Sequence, residues 1–152
     1  MKIEEKIKSL GLVLPPAPPP AGNYIGAVTY GKLVYLSGHG PVDSEGNYRK
    51  GKVPNEVSLD EAYEAARLVG LNMLTTLKNE IGDLDRVRRF VKVLGMVNAA
   101  PDFEQQPHVI NGFSDMMVEI FGEAGCCARS AVGMGSLPFQ IPVEIEAIVE
   151  LK

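Results

Sequence analysis

The sequence predicts one α+β domain, a mixed β-sheet carrying two helices on one face. Three observations carry that prediction. Two segments, 58–82 and 107–122, place apolar residues at helical spacing between clear start and stop signals. The segments around them are rich in β-branched and aromatic residues and bounded by glycine and proline. In the last of these, Val143, Ile145, Ala147, Val149 and Leu151 alternate with Glu144, Glu146, Ile148 and Glu150, which reads as a strand with one covered and one more polar face. A chain of 152 residues, 45% apolar and 22% charged, is sized for a single core that needs no disulfide or metal staple.

The elements follow in order. Residues 1–14 read as a short amphipathic helix with Ile3, Ile7 and Leu10 on one stripe, stopping at Gly11. The run from Pro15 to Pro20 must be extended and nearly lacks amide donors. It reads as a stiff strap more readily than as an SH3-type ligand, so residues 1–20 are set apart from a domain proper at 21–152. Asn23 to Tyr30 and Lys32 to Ser37 form a predicted hairpin joined at Tyr30–Gly31. Gly38, Gly40 and Pro41 break that strand, and Asp43–Asn47 is turn chemistry that leaves room for a third short strand.

Ser58 with Glu61 is a capping box opening the first long helix. Ala62, Ala66, Val69, Met73, Leu77 and Ile81 form its stripe, and Gly82 closes it. Val87 to Val97 is a nearly continuous apolar strand suited to a sheet interior. Pro107 starts the second helix, whose stripe is Ile110, Phe113, Met117, Ile120 and Phe121, ending at Gly122. Two final strands occupy about 128–134 and 143–151. Two helices cover only one sheet face in this ββ(β)αβαββ order, so the bare face calls for association between copies.

Composition narrows the function. A net charge of −4 and a pI near 5.2 give no footprint for a phosphate backbone, which argues against nucleic acid as a partner. The densest basic run, Arg86, Arg88, Arg89 and Lys92, is split between strand faces. No stretch reaches the roughly 20 apolar residues of a membrane span. The charged N-terminus has no signal-peptide core, which places the chain in the cytoplasm as an expectation. Cys126 and Cys127 are adjacent and read as reduced, packing thiols. No metal site is expected, since His39 and His108 lie far apart with no evident third ligand.

The sequence holds no G-x-S-x-G, P-loop, H-E-x-x-H or C-x-x-C motif. Arg129 stands out instead, at the start of an apolar strand among small residues. A guanidinium there needs an anion, because an unpaired buried charge is costly. Two partners remain open: Glu144 or Glu146 in an internal ion pair, the plainer of the two, or a ligand carboxylate gripped by the guanidinium fork.

The segment Ala128–Gly133, continued by Leu137–Pro138 and Val143–Ile148, resembles the C-terminal signature of the Rid/YjgF family, also labelled endoribonuclease L-PSP or translation inhibitor. Gly22–Asn23–Tyr24, Val34–Gly38 and Val109–Ile110–Asn111 resemble its N-terminal hairpin and second helix, so the likeness spans roughly residues 21–152. The resemblance implies a chorismate-mutase-like fold and a homotrimer whose sheets form a central barrel, with clefts between subunits. It implies an enamine/imine deaminase that turns 2-imino acids into 2-oxo acids and ammonia without a cofactor. Arg129 would clamp the carboxylate and Glu144 would position water. Tyr24, Ser37, Gly38, His39, Asn111 and Ala131 would line the substrate cleft.

Departures mark a divergent branch. Cys127 stands where a proline is common, Ala131 where cysteine often follows the arginine, and His39 where many members have glutamine. The proline-rich strap and a longer loop from Ala99 to His108 are extra. A carboxylate-binding trimer with a regulatory or chaperone-like role is therefore the alternative reading. An endoribonuclease is a weaker third, since it would need paired acid–base histidines.

Overall fold

The computed structural model describes residues 2–152. Helix α1 spans Lys2–Ser9. It is shorter than the 1–14 expected, because the chain turns at Leu10 and Gly11, where Gly11 takes a φ of 72°. Ile7 is buried as expected, whereas Leu10 is 37% exposed. The carboxylate of Asp85 accepts from the amides of Lys2 and Ile3, both at 2.8 Å, and so caps α1 from across the chain. The strap is fastened where the Thr75 hydroxyl donates to the Pro15 carbonyl at 2.7 Å.

Strands β1 (Ala27–Tyr30) and β2 (Leu33–His39) form the hairpin, in register Ala27–Leu36 to Tyr30–Leu33. Residues 23–26 precede the strand rather than belonging to it. The provisional third strand reduces to a single bridge between Val42 and Tyr48.

Helix α2 (Leu59–Ile81) opens with the predicted capping box. Glu61 N donates to Ser58 Oγ at 3.2 Å, and Ser58 N donates to Glu61 Oε2 at 2.9 Å. Its whole predicted stripe is buried. Strand β3 (Val87–Asn98), helix α3 (Gln106–Phe121), strand β4 (Ala128–Met134) and strand β5 (Val143–Leu151) complete the chain.

The sheet order is β1-β2-β5-β3-β4, antiparallel except for the β3–β4 pair. Helix α3 is thus the crossover between two parallel strands, and β5 is central although it comes last in the chain. The alternation of β5 holds fully: its odd-numbered residues are buried and its even-numbered ones are not. Helices α2 and α3 pack on the face carrying Val93, Ala147 and Val149. They can approach closely because Gly112 lies against the carbonyl of Tyr63, where a Cβ would collide with backbone. The opposite face carries Tyr35, Leu94, Ile148 and the aliphatic part of Lys92 around a trough of about 360 Å³. Tyr35 is 45% and Val28 48% exposed there, an apolar surface that nothing in one chain covers. No helix among the described residues is long and apolar enough to cross a membrane.

Candidate functional site

A bulge builds the first of two candidate clusters. Leu36 pairs with Ala147 and His39 with Ile145, so Ser37 and Gly38 of β2 lie opposite the single residue Glu146 of β5. Both bulged residues border a cleft of about 490 Å³ with Tyr24, Tyr48, Phe139, Glu144 and Glu146. Glu144 reaches it because β5 alternates and even positions face away from the helices. Gly38 makes room: a Cβ there would sit 3.0 Å from the Glu144 carboxyl carbon and one of its oxygens.

Among the described residues nothing donates a hydrogen bond to that carboxylate. Burial, and then the charge of Glu146, push the Glu144 carboxyl above the ordinary glutamate value. A carboxyl tuned upward in a cleft is suited to exchanging protons with water. Tyr24 Oη accepts from the Ala21 amide at 3.1 Å, which leaves its own proton for the cleft. Ser37 Oγ donates to the Ile25 carbonyl at 2.6 Å, so toward the cleft it offers lone pairs.

His39 follows the bulge and turns back toward α2. It is buried, with Nδ1 2.6 Å from the Ser37 carbonyl and Nε2 2.8 Å from Thr76 Oγ1. A carbonyl only accepts, so Nδ1 carries a proton, while Nε2 faces the Thr76 hydroxyl, which also lies 3.3 Å from the Asn72 carbonyl. Burial holds its pKa below the usual histidine value, against an opposing contribution from the Ser37 carbonyl. It borders a small cavity of about 50 Å³ under Pro18–Pro20, behind the Ser37–Gly38 wall.

A second cluster lies on the other side of the sheet. Arg129 pairs with Val93, a core residue, and therefore points to the helix face. Its Nη1 donates to Ser114 Oγ at 3.0 Å and its Nη2 to the Pro107 carbonyl at 3.2 Å. Pro107, Asn111 and Ser114 follow i, i+4, i+7 spacing on α3, which sets half-buried Asn111 between the two contacts of Arg129. Ala131, two residues along β4, packs on the same face. A guanidinium has five N–H donors, and these contacts use two of them.

The internal ion pair with Glu144 or Glu146 does not form. Strand β4 neighbours β3, not β5, and both glutamates occupy the opposite sheet face. Among the described residues no carboxylate pairs with Arg129. The chain thus carries two separate clusters, Arg129–Asn111–Ala131 and Tyr24–Ser37–Gly38–Glu144. Sequence reasoning missed Ser114, Tyr48 and Phe139. The helical spacing from Pro107 to Ser114 could have found the first, whereas Tyr48 and Phe139 meet only through folding.

A family model described as "YjgF/chorismate mutase-like, putative endoribonuclease" matches residues 4–148. The chain belongs to this family. The YjgF match takes in α1 and the strap, ahead of residue 21, where the resemblance read from the sequence began. The α+β chorismate-mutase-like fold expected from that resemblance is the fold observed. The protein Atu1372 of Agrobacterium tumefaciens, of unknown function, superposes with a TM-score of 0.92 at 41% identity, over 99% of this chain and 93% of that one. Protein TCP17 of Trypanosoma cruzi is 38% identical across 99% of this chain and 94% of its own length. A 2-iminobutanoate/2-iminopropanoate deaminase of Dermatophagoides farinae is 31% identical across 91% of this chain and 93% of its own, which links the YjgF family to imine deamination.

Proposed function

We propose that this protein hydrolyses 2-imino acids to 2-oxo acids and ammonia, in sites shared between subunits of a homotrimer. The observation that carries the reading is the division of the site. Arg129 and Glu144 project from opposite sheet faces, with β3 lying between their strands. In a 2-imino acid the electrophilic carbon is bonded directly to the carboxylate carbon. A group gripping the carboxylate and a group delivering water must therefore meet across one small molecule. Symmetry supplies that meeting when the bare sheet faces associate, bringing the β4 edge of one copy to the cleft of the next.

The chemistry then follows from the groups present. The free N–H donors of Arg129 take the substrate carboxylate in a bidentate bond, with the Asn111 amide beside it. Glu144 accepts a proton from water as its oxygen attacks the imine carbon. The same proton passes to nitrogen to give the tetrahedral adduct. Glu144 then takes the adduct's hydroxyl proton and returns it to nitrogen as the C–N bond breaks and C=O forms, leaving the 2-oxo acid and ammonia. Positioning and charge suffice, because the imine is already electrophilic. A ribonuclease is less well supported: His39 is buried and committed at both nitrogens, while the His108 ring packs 5.7 Å from that of Tyr63.

Subunit complementation tests this. Imines are generated in situ, and ammonia release is followed with Arg129→Ala and Glu144→Gln proteins, each alone and after mixed reassembly. Each variant alone should lose activity, and random mixing should restore about a quarter of the wild-type sites. Mixed trimers that stay inactive would rule out a shared site. Wild-type protein that binds 2-oxo acids without hydrolysing imines would instead support the carboxylate-binding alternative.

A further inference from the structure

One wall of the Glu144 cleft is aromatic. Tyr48 and Phe139 stack with ring centroids 5.3 Å apart and an interplanar angle of 15°. In one chain Phe139 remains 53% exposed, its ring open to the cleft. Its backbone is strained to hold it there: Phe139 (φ 58°) and Gln140 (φ 57°) are consecutive non-glycine residues in the left-handed region. That turn is tied down on both sides. Gly51 N donates to the Gln140 carbonyl at 2.8 Å, and Gln140 N donates to the Leu137 carbonyl at 3.0 Å.

The same cleft holds Tyr24, Pro138 and Ile141, and its charged lining groups are Glu144 and Glu146. In one chain the cleft measures about 490 Å³, and the β4 edge of the next copy would close part of it under the shared-site reading. Building on the deaminase reading, we infer that the Tyr48–Phe139 pair is a specificity shelf that receives the side chain of an aromatic or large aliphatic 2-imino acid. The two glutamates disfavour acidic side chains in the same space, because like charges at close range repel. A planar apolar side chain stacked on this shelf would bury the exposed part of the Phe139 ring.

The test compares imines produced in situ by an amino acid oxidase from phenylalanine, leucine, alanine and aspartate. Phe139→Gly suits the left-handed backbone and so preserves the turn; Tyr48→Ala removes the other ring. Wild-type kcat/KM should favour the phenylalanine- and leucine-derived imines over the alanine-derived one, with the aspartate-derived imine poorest. Phe139→Gly should reduce the phenylalanine-to-alanine ratio about tenfold, the loss expected for one apolar wall of a pocket. An unchanged ratio in both variants overturns the shelf.

Titration calorimetry with phenylpyruvate and pyruvate separates this proposal from the deaminase reading. If no imine is hydrolysed but phenylpyruvate binds more tightly through Phe139, the shelf stands and the catalytic assignment fails. If phenylpyruvate gains nothing over pyruvate in the wild type, the shelf fails whatever the catalysis.

Discussion

At Glu144 two effects act in one direction. Partial burial removes water from the charged form, and Glu146 on the same sheet face adds like-charge repulsion. If Glu144 must be ionised to accept a proton from water, kcat/KM should fall as pH drops through its raised pKa. The fall should begin at a higher pH than an ordinary glutamate would give. Replacing Glu146 by glutamine removes the second effect and leaves burial, so the acidic limb should move to lower pH with its shape retained. A pH–rate profile of the two proteins reads this directly, and a limb that does not move would exclude Glu144 as the titrating group. Arg129 shows the converse situation. Its guanidinium is oriented by a hydroxyl and a carbonyl, neither of which neutralises it, so its charge remains available for an incoming anion.

Among the helices, α2 supports the wall behind the cleft, since its Thr76 hydroxyl braces His39 and its Thr75 hydroxyl anchors the strap. The reciprocal Ser58–Glu61 bonds satisfy two amides at its start. Ser58→Ala should lower the unfolding free energy by about 1 kcal/mol without altering substrate preference, measured by denaturant unfolding beside the imine assay. The helix was legible because a capping box, a stripe and a terminal glycine are all local signals. The ends of α1 and β1 were less so. Leu10 continues a helical stripe in sequence, but Gly11 takes the chain away first, and residues 23–26 meet β2 only through Ser37, whose amide and hydroxyl donate to the Gly26 and Ile25 carbonyls. The bulge at Ser37–Gly38 was invisible, since it exists only in the register between β2 and β5.

The molecule as a whole presents an apolar sheet face and an unpaired β4 edge. Tyr35 stands on that face, beside Leu94 and Ile148. Under the proposed shared site, Tyr35→Asp would place a charge where association would bury it, at a position the fold of one chain leaves exposed. The expected outcome is a monomer by native mass spectrometry, with an unchanged far-UV circular dichroism spectrum and no imine hydrolysis. A monomer that stays active would refute the shared site.

The sequence by itself determined the two long helices, the last two strands, the covered face of β5 and the resemblance centred on Arg129. Each of these is written in periodicity or in contiguous residues. Tertiary structure decided what faces what. It put β5 at the centre of the sheet, placed Arg129 and Glu144 on opposite faces, turned His39 inward and brought Tyr48 against Phe139. The physical reason is that periodicity assigns a side chain to a face of its own element, whereas strand order, a one-residue bulge and long-range packing decide which faces meet.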